Sequence, residues 1–371
     1  MKIGLVCPYN IFRGGGVQEH VRGQAAELVK RGHTVKIITP RPRKHIDDAP
    51  EDTIFVGNST PVKTPISTSL ELGINLGRTS IDDVLVAEQF DLLHVHEPEV
   101  PVLGAQIIAK ATCPVFATFH AIHPETPLAR TIEALRIPYS RSIFSKLRAI
   151  TAVSDVAANF VREHAKQDVI IIPNGIDMSQ YNFQRSAKPV SNDIVYIGRL
   201  ERRKGVKYLL QAFEQLKLQV PKAKLIIAGD GPDRNKLEDY VTERQLHGVE
   251  FVGYVSDKQK HALLQRAAIF CSPALYGESF GIVLLEAMAS GAVTVAGNNS
   301  GYKSLMQGRG ALSIVNPKDS EEFSRRMQLL LQDDGLRAAW RDWAYAYVRQ
   351  FDYPVIVDQY ERLYKQAVRS A

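Results

Sequence analysis

The sequence predicts an α/β chain of two doubly wound, Rossmann-like domains. Three observations carry this. Short runs that are apolar throughout alternate with stretches of helical periodicity, the signature of parallel strands covered on both faces. The alternation restarts after Asn174-Gly175, a turn signal between two strand series. The length, 371 residues, suits about two domains, each large enough to bury a core of its own.

In order, residues 3–7 read as the first strand, and 17–31 as a helix keeping Val17, Val21, Ala25, Leu28 and Val29 on one face. Residues 34–39 and 92–96 follow as strands, then a helix over 102–110, strands at 115–119 and 150–153, and a helix after Ser154. The second series has strands at 194–197, 225–228, 249–252, 269–272 and 293–296. Helices at 206–218, 234–244, 258–266 and 282–289 connect them. Beyond Glu321 only helical patterns remain, and the last, 355–367, lies past the break Asp352-Tyr353-Pro354. The expected domains are 1–172, joined by 353–371 as a helix crossing back, and 173–352.

Hydrophobic residues make up 45% and charged residues 23%, which excludes disordered, collagen-like and coiled-coil chains. Lys plus Arg is 46 against 40 for Asp plus Glu, an excess too thin for a nucleic-acid binder. It is concentrated, however. Residues 128–148 and 199–207 each hold five bases against one acid, which points to an anionic ligand or surface. The three cysteines, Cys7, Cys113 and Cys271, lie in or beside apolar runs and read as reduced core thiols of a cytoplasmic protein. No run approaches the 18 apolar residues of a membrane span, and residues 2–6 read directly as a strand rather than a signal peptide.

Four constellations carry candidate chemistry. Arg13-Gly14-Gly15-Gly16-Val17-Gln18 lies between the first strand and its helix, where backbone N–H groups can approach a phosphate; a plain flexible turn is the alternative. The spacing is not G-x-G-x-x-G, which counts against an NAD enzyme. Gly198-Arg199-Leu200-Glu201-Arg202-Arg203-Lys204-Gly205 places cations at a strand's C-terminal end, where open α/β sheets bind ligands. In Gly277-Glu278-Ser279-Phe280-Gly281-Ile282-Val283, followed by Glu286, two carboxylates stand roughly 12 Å apart along a helix start. That suits hydroxyl groups at both ends of a ligand, with its diphosphate facing the N–H groups of Phe280, Gly281, Ile282 and Val283. Finally, Thr118-Phe119-His120 ends one strand and His94-Val95-His96-Glu97-Pro98 another; no metal-binding spacing is present, so no metal is assigned.

Taken in order, several motifs resemble the retaining glycosyltransferases of family 4, with the two-domain GT-B fold. They are Gly-Gly-Val-Gln at 15–18, His-x-His-Glu-Pro at 94–98, Ala-Thr-Phe-His at 117–120, Ala-Val-Ser-Asp at 152–155, Ile-Pro-Asn-Gly-Ile-Asp at 172–177, Gly-Arg-x(4)-Lys-Gly at 198–205 and Glu-Ser-Phe-Gly-x(4)-Glu-Ala at 278–287. Within that family the chain is most similar to the phosphatidylinositol mannosyltransferases. The resemblance implies a nucleoside-diphosphate hexose donor, mannose or glucose, bound between the domains. Gly15 and Gly16 would approach its sugar and phosphates, Arg199 and Lys204 would hold the diphosphate, Glu278 the hexose hydroxyls and Glu286 the ribose. His120 would contact the sugar at the reacting centre, and Tyr9 and Gln18 would face the acceptor. It further implies a front-face reaction without metal or other cofactor, and a lipid-linked, polyol or sugar hydroxyl as acceptor. The basic, partly apolar stretch 128–148 fits either an anionic membrane surface, as in a peripheral protein of the inner face of the cell membrane, or an ordinary helix with a wet basic face. A nucleotide-sugar epimerase of the same fold and a silent nucleotide-sugar-binding protein are the rival readings.

Overall fold

The computed structural model describes residues 1–42, 50–63, 69–74, 81–100, 103–122, 127–181, 183 and 192–369; of 59–63, 69–74 and 127–135 it describes the backbone. The chain forms two compact units, Met1–Gly175 with Tyr353–Ala371, and Ile176–Asp352. They part directly after the Asn174-Gly175 turn, three residues beyond the expected domain bound at 172/173. Pro173 to Gly175 stay with the first unit because Gly175 packs on the Tyr353 ring and its N–H points to His20 Nδ1 at 3.4 Å.

The first unit runs β1 (Lys2–Val6), α1 (Gly16–Lys30), β2 (Thr34–Arg41), β3 (Thr53–Lys63), β4 (Ser69–Ile74), α2 (Ile81–Glu88), β5 (Leu92–His96), α3 (Leu103–Lys110), β6 (Val115–Phe119), α4 (Pro127–Phe144), β7 (Ala149–Ala152), α5 (Asp155–His164) and β8 (Val169–Ile171). The sheet order is β4-β3-β2-β1-β5-β6-β7-β8, parallel except for the β3–β4 pair. β1, β5 and β6 sit at its centre with every residue from Ile3 onward buried, as the uniform apolar runs require. Ser154 caps α5 by accepting from the Ala157 N–H at 3.1 Å.

The second unit runs β9 (Asp193–Ile197), α6 (Val206–Gln219), β10 (Lys224–Ala228), α7 (Arg234–Glu243), β11 (Val249–Gly253), α8 (Asp257–Arg266), β12 (Ile269–Ser272), α9 (Ile282–Ala289), β13 (Val293–Gly297), α10 (Ser300–Leu305), β14 (Ile314–Val315), α11 (Ser320–Gln332) and α12 (Asp334–Val348). Its described strands form one parallel sheet in the order β11-β10-β9-β12-β13-β14. A final helix, α13 (Tyr353–Arg369), carries Pro354 in its first turn and belongs to the first unit. It buries Tyr353, Ile356, Val357, Tyr360, Tyr364 and Ala367, a stripe at helical spacing, in one core with Ile3, Leu5, Val21 and Leu28. Arg31, at the end of α1, pairs with Asp358 at 2.5 Å and Glu361 at 3.2 Å, and His33 bonds Glu361 at 2.9 Å, which fixes the seam between α1 and α13.

Strands β3, β4, β8 and β14 and helix α10 are absent from the sequence reading. β3 carries Asn58-Ser59-Thr60-Pro61 and pairs antiparallel at the sheet edge, so it lacks the uniform apolar run of a central strand. β8, β14 and α10 are two to six residues long, too short for periodicity to register.

Candidate active site

In the second unit the C-terminal ends of β9 and β12 bring two loops together. After β9 the chain makes one tight turn over Arg202–Lys204 and exits through Gly205 in the left-handed region, φ 71°. A Cβ at Gly205 would lie 2.1 Å from the Pro273 carbonyl oxygen, so only glycine permits this approach. Glu278 lies ahead of α9. Its Oε1 accepts from Arg203 Nη1 and from Lys204 Nζ, both at 2.8 Å. A Cβ on Gly301 would lie 1.9 Å from the Glu278 carbonyl oxygen, so the start of α10 packs directly beneath that residue. Burial pushes the Glu278 carboxyl up, but the ammonium and guanidinium beside it hold it below the usual carboxylate range. One carboxylate thus gathers two cations in the loop that leads into α9. The loop after β9 and the loop before α9 are thereby tied together by charge-assisted hydrogen bonds.

The sequence reading placed Arg199 and Lys204 on the diphosphate. Lys204 lies against Glu278, whereas Arg199 pairs with Glu201 at 3.0 Å and is about half exposed. Arg203 holds the inner position that sequence reasoning missed. It also bonds Glu201, at 3.3 Å, and so joins the two carboxylates. Glu286, buried, accepts from Lys260 Nζ at 2.7 Å and from the Tyr181 hydroxyl at 3.3 Å. Lys260 was also missed; the sole hint was its place three residues after Asp257 near the start of α8. Phe280 is buried with its ring edge-on to Phe351, so its side chain packs and only its backbone faces the loop. Gly281, with φ 111°, caps α9, and Ile282 and Val283 form its half-buried first turn.

In the first unit the strand ends assemble four histidines. His94 and His96 on β5 stack at 4.4 Å between ring centroids, and His20 of α1 stands edge-on to His96 and His120 at 5.5 and 5.2 Å. His96 Nδ1 lies 3.0 Å from His120 Nε2. Burial lowers all four: His20 and His94 fall to about 3, and His96 and His120 lie well below their ordinary value, so all are neutral at pH 7. Glu97, at φ 51°, turns its carboxylate back to accept the N–H groups of His120 at 2.5 Å and Ala121 at 2.6 Å. Tyr9 is pushed well up by burial and by the neighbouring Glu97. Gly15 ends the loop before α1 in extended backbone, and a Cβ there would lie 2.4 Å from Gln18 Oε1; Gly14 and Gly16 are exposed. Among the described residues no group of three or more His, Cys, Asp or Glu is arranged to hold a metal ion.

Of the basic stretch 128–148, the side chains of 128–135, Arg130 among them, lie outside the described residues. In the rest, Ile143, Phe144 and Leu147 are buried, so that apolar face packs inward while Arg141, Lys146 and Arg148 stay exposed. Arg136 donates to the Glu99 carbonyl oxygen at 2.8 Å. No helix among the described residues is long and apolar enough to cross a membrane.

Comparison with known proteins agrees with this layout. Residues 14–180 match the family described as Glycosyltransferase Family 4, and residues 178–347 match Glycosyl transferases group 1. The chain is 31% identical to the phosphatidyl-myo-inositol mannosyltransferase of Mycolicibacterium smegmatis, over 98% of this chain and 94% of that one. It is 33% identical to the protein of the same name from Propionibacterium freudenreichii, over 80% and 77%. Among solved structures, sucrose-phosphate synthase from Thermosynechococcus elongatus superposes with a TM-score of 0.77 at 20% identity, over the whole of both chains. Anabaena HepE, solved with UDP and glucose, gives 0.76 at 20%, over 99% of this chain and 100% of that one. The two parallel α/β units, the motifs on their strand ends and these matches together show that the chain belongs to glycosyltransferase family 4 and is a glycosyltransferase of the GT-B fold.

Proposed function

We propose that the protein transfers a hexose, with mannose favoured, from a nucleoside diphosphate to a hydroxyl of a lipid-linked, polyol or sugar acceptor, with retention at the anomeric carbon and without a metal. The observation that carries this is the Glu278–Arg203–Lys204 cluster at the start of α9. Two cations supply the charge that a divalent ion would otherwise bring to a departing diphosphate. The bond from C1 to the diphosphate oxygen breaks, the acceptor oxygen bonds to C1 on the same face, and its proton passes to the departing phosphate. No protein base enters this step. His120, neutral and buried, is suited to donate a hydrogen bond to the hexose rather than to exchange a proton with it. Glu286 with Lys260 is assigned to the nucleoside end. The mannosyltransferase name of the relatives supports mannose, and the exposed Arg141, Lys146 and Arg148 support an anionic surface as the place of work.

The experiment is turnover of GDP-mannose, UDP-glucose and UDP-N-acetylglucosamine, each with a mixed polar-lipid acceptor and with or without EDTA. The expected result is release of GDP and formation of a glycolipid from GDP-mannose at a rate EDTA leaves unchanged. Loss of activity in EDTA, restored by a divalent ion, would contradict metal independence.

A further inference from the structure

The bond directions in the histidine cluster can be worked out from its edge inward. Thr151 Oγ1 donates to the Ala117 carbonyl oxygen at 3.0 Å, which uses its proton. Thr118 Oγ1, 2.6 Å from Thr151 Oγ1, must therefore be the donor of that pair. His94 Nε2, 2.7 Å from Thr118 Oγ1, must then donate to it. His94 so carries its proton on Nε2, and its Nδ1 accepts from the Tyr364 hydroxyl at 2.5 Å, while Gln24 Nε2 donates to the Tyr364 oxygen at 2.9 Å. This outer chain is closed and leaves no choice of tautomer.

The inner pair is decided differently. One proton lies between His96 Nδ1 and His120 Nε2. If His120 supplied it, His96 would hold its own proton on Nε2, which is buried and has no hydrogen-bond partner. A buried N–H without an acceptor is rarer and costlier than a bare lone pair, so His96 is the donor. Asn174 Oδ1, buried nearby in the chain's first unit, takes part in no hydrogen bond. His20, His94 and His96 have no exposed surface, whereas His120 retains 6% and is the one member of the group that a ligand can touch.

We propose that His96 is a positioning residue: its Nδ1–H donates to His120 Nε2 and keeps His120 in the Nδ1–H tautomer, a donor available to a hydroxyl oxygen of the transferred hexose. This rests on the reading that His120 contacts that sugar. The backbone bonds from His120 and Ala121 to Glu97 hold the same imidazole in place from below. The tautomer of one ring nitrogen is set by the bond the other makes.

The test is long-range ¹H–¹⁵N correlation of the histidine rings in the wild-type protein, in His96→Leu and in His96→Asn, beside steady-state kinetics. In the wild type the His120 proton is expected on Nδ1, with His94 on Nε2 as an internal control. His96→Leu should mix the His120 tautomers and lower kcat roughly 10- to 100-fold, in line with other supporting-shell losses, with donor KM within about twofold. Asparagine places a carboxamide donor near the lost Nδ1 and should restore both the tautomer and most of kcat. A wild-type His120 protonated on Nε2, or a His96→Leu protein with unchanged tautomer, would overturn the proposal. If the wild type turned over no nucleoside-diphosphate hexose, the functional reading would fail, while the wild-type His120 tautomer would still decide this inference.

Discussion

Glu278→Gln is expected to lower turnover roughly 100-fold or more while leaving the affinity for the free nucleoside diphosphate intact or slightly stronger. Glutamine keeps an oxygen to accept from Arg203 and Lys204, so the loop geometry survives, but the negative charge between the two cations is gone. Both cations then have more potential to offer a diphosphate. The hexose, by contrast, loses a charged acceptor for its hydroxyls, and charge-assisted bonds are about twice as strong as neutral ones. Removing one group of a preorganised electrostatic site costs on the order of 10²- to 10³-fold in kcat. Titration calorimetry with the nucleoside diphosphate, beside steady-state kinetics, separates the two effects. Equal losses in affinity and turnover would assign Glu278 to diphosphate binding alone.

The second large effect is acid lability of the first unit. In the unfolded chain each histidine titrates near its ordinary value of 6.5, but in the fold His20 and His94 titrate near 3, and His96 and His120 are also held well below it. Between those limits the unfolded chain binds more protons, so stability rises with pH. The contribution is fully present above about pH 6.5 and is lost as pH falls toward 3. Each group adds to the slope, so the four together make stability fall steeply with acid. A domain stable by about 5–15 kcal/mol cannot withstand that slope for long. Glu278 and Glu361 lose their favourable pairing only below the ordinary carboxylate range, so the histidines act first. Denaturant unfolding at steps from pH 7.5 to 4.5 should show stability falling steeply below pH 6, with uptake of up to four protons on unfolding. Stability that stays flat from pH 7 to 5 would mean that the cluster is hydrated or already charged in the native protein.

What the sequence disclosed, and what it hid, follows from range. Central parallel strands announce themselves because both faces are buried, as in residues 3–6 and 92–96. Loop glycines mark where backbone must pass closely, and Glu278 and Lys204 stand out beside Gly277 and Gly205. A run of bases, however, carries no register. Only the tight turn over Arg202–Lys204 shows that Arg203 points inward with Lys204 while Arg199 turns to Glu201. Lys260 looks like a solvated helix residue until the fold brings it to Glu286, 26 positions away. The histidine cluster is hidden for the same reason. His94, His96 and His120 are visible as strand ends, but His20 comes from α1 and Tyr360 and Tyr364 from α13, some 240 residues beyond His120. No periodicity links such partners.

The proposed transfer retains the configuration at C1, at a site that uses Glu278, Arg203 and Lys204 in place of a metal. The most direct measurement is the NMR anomeric configuration of the glycoside formed from GDP-α-mannose in the presence of EDTA. An α-mannoside is expected as the first product, formed at the rate seen without EDTA. A β-mannoside as the first product would contradict it, because it would require attack on C1 from the face opposite the departing diphosphate.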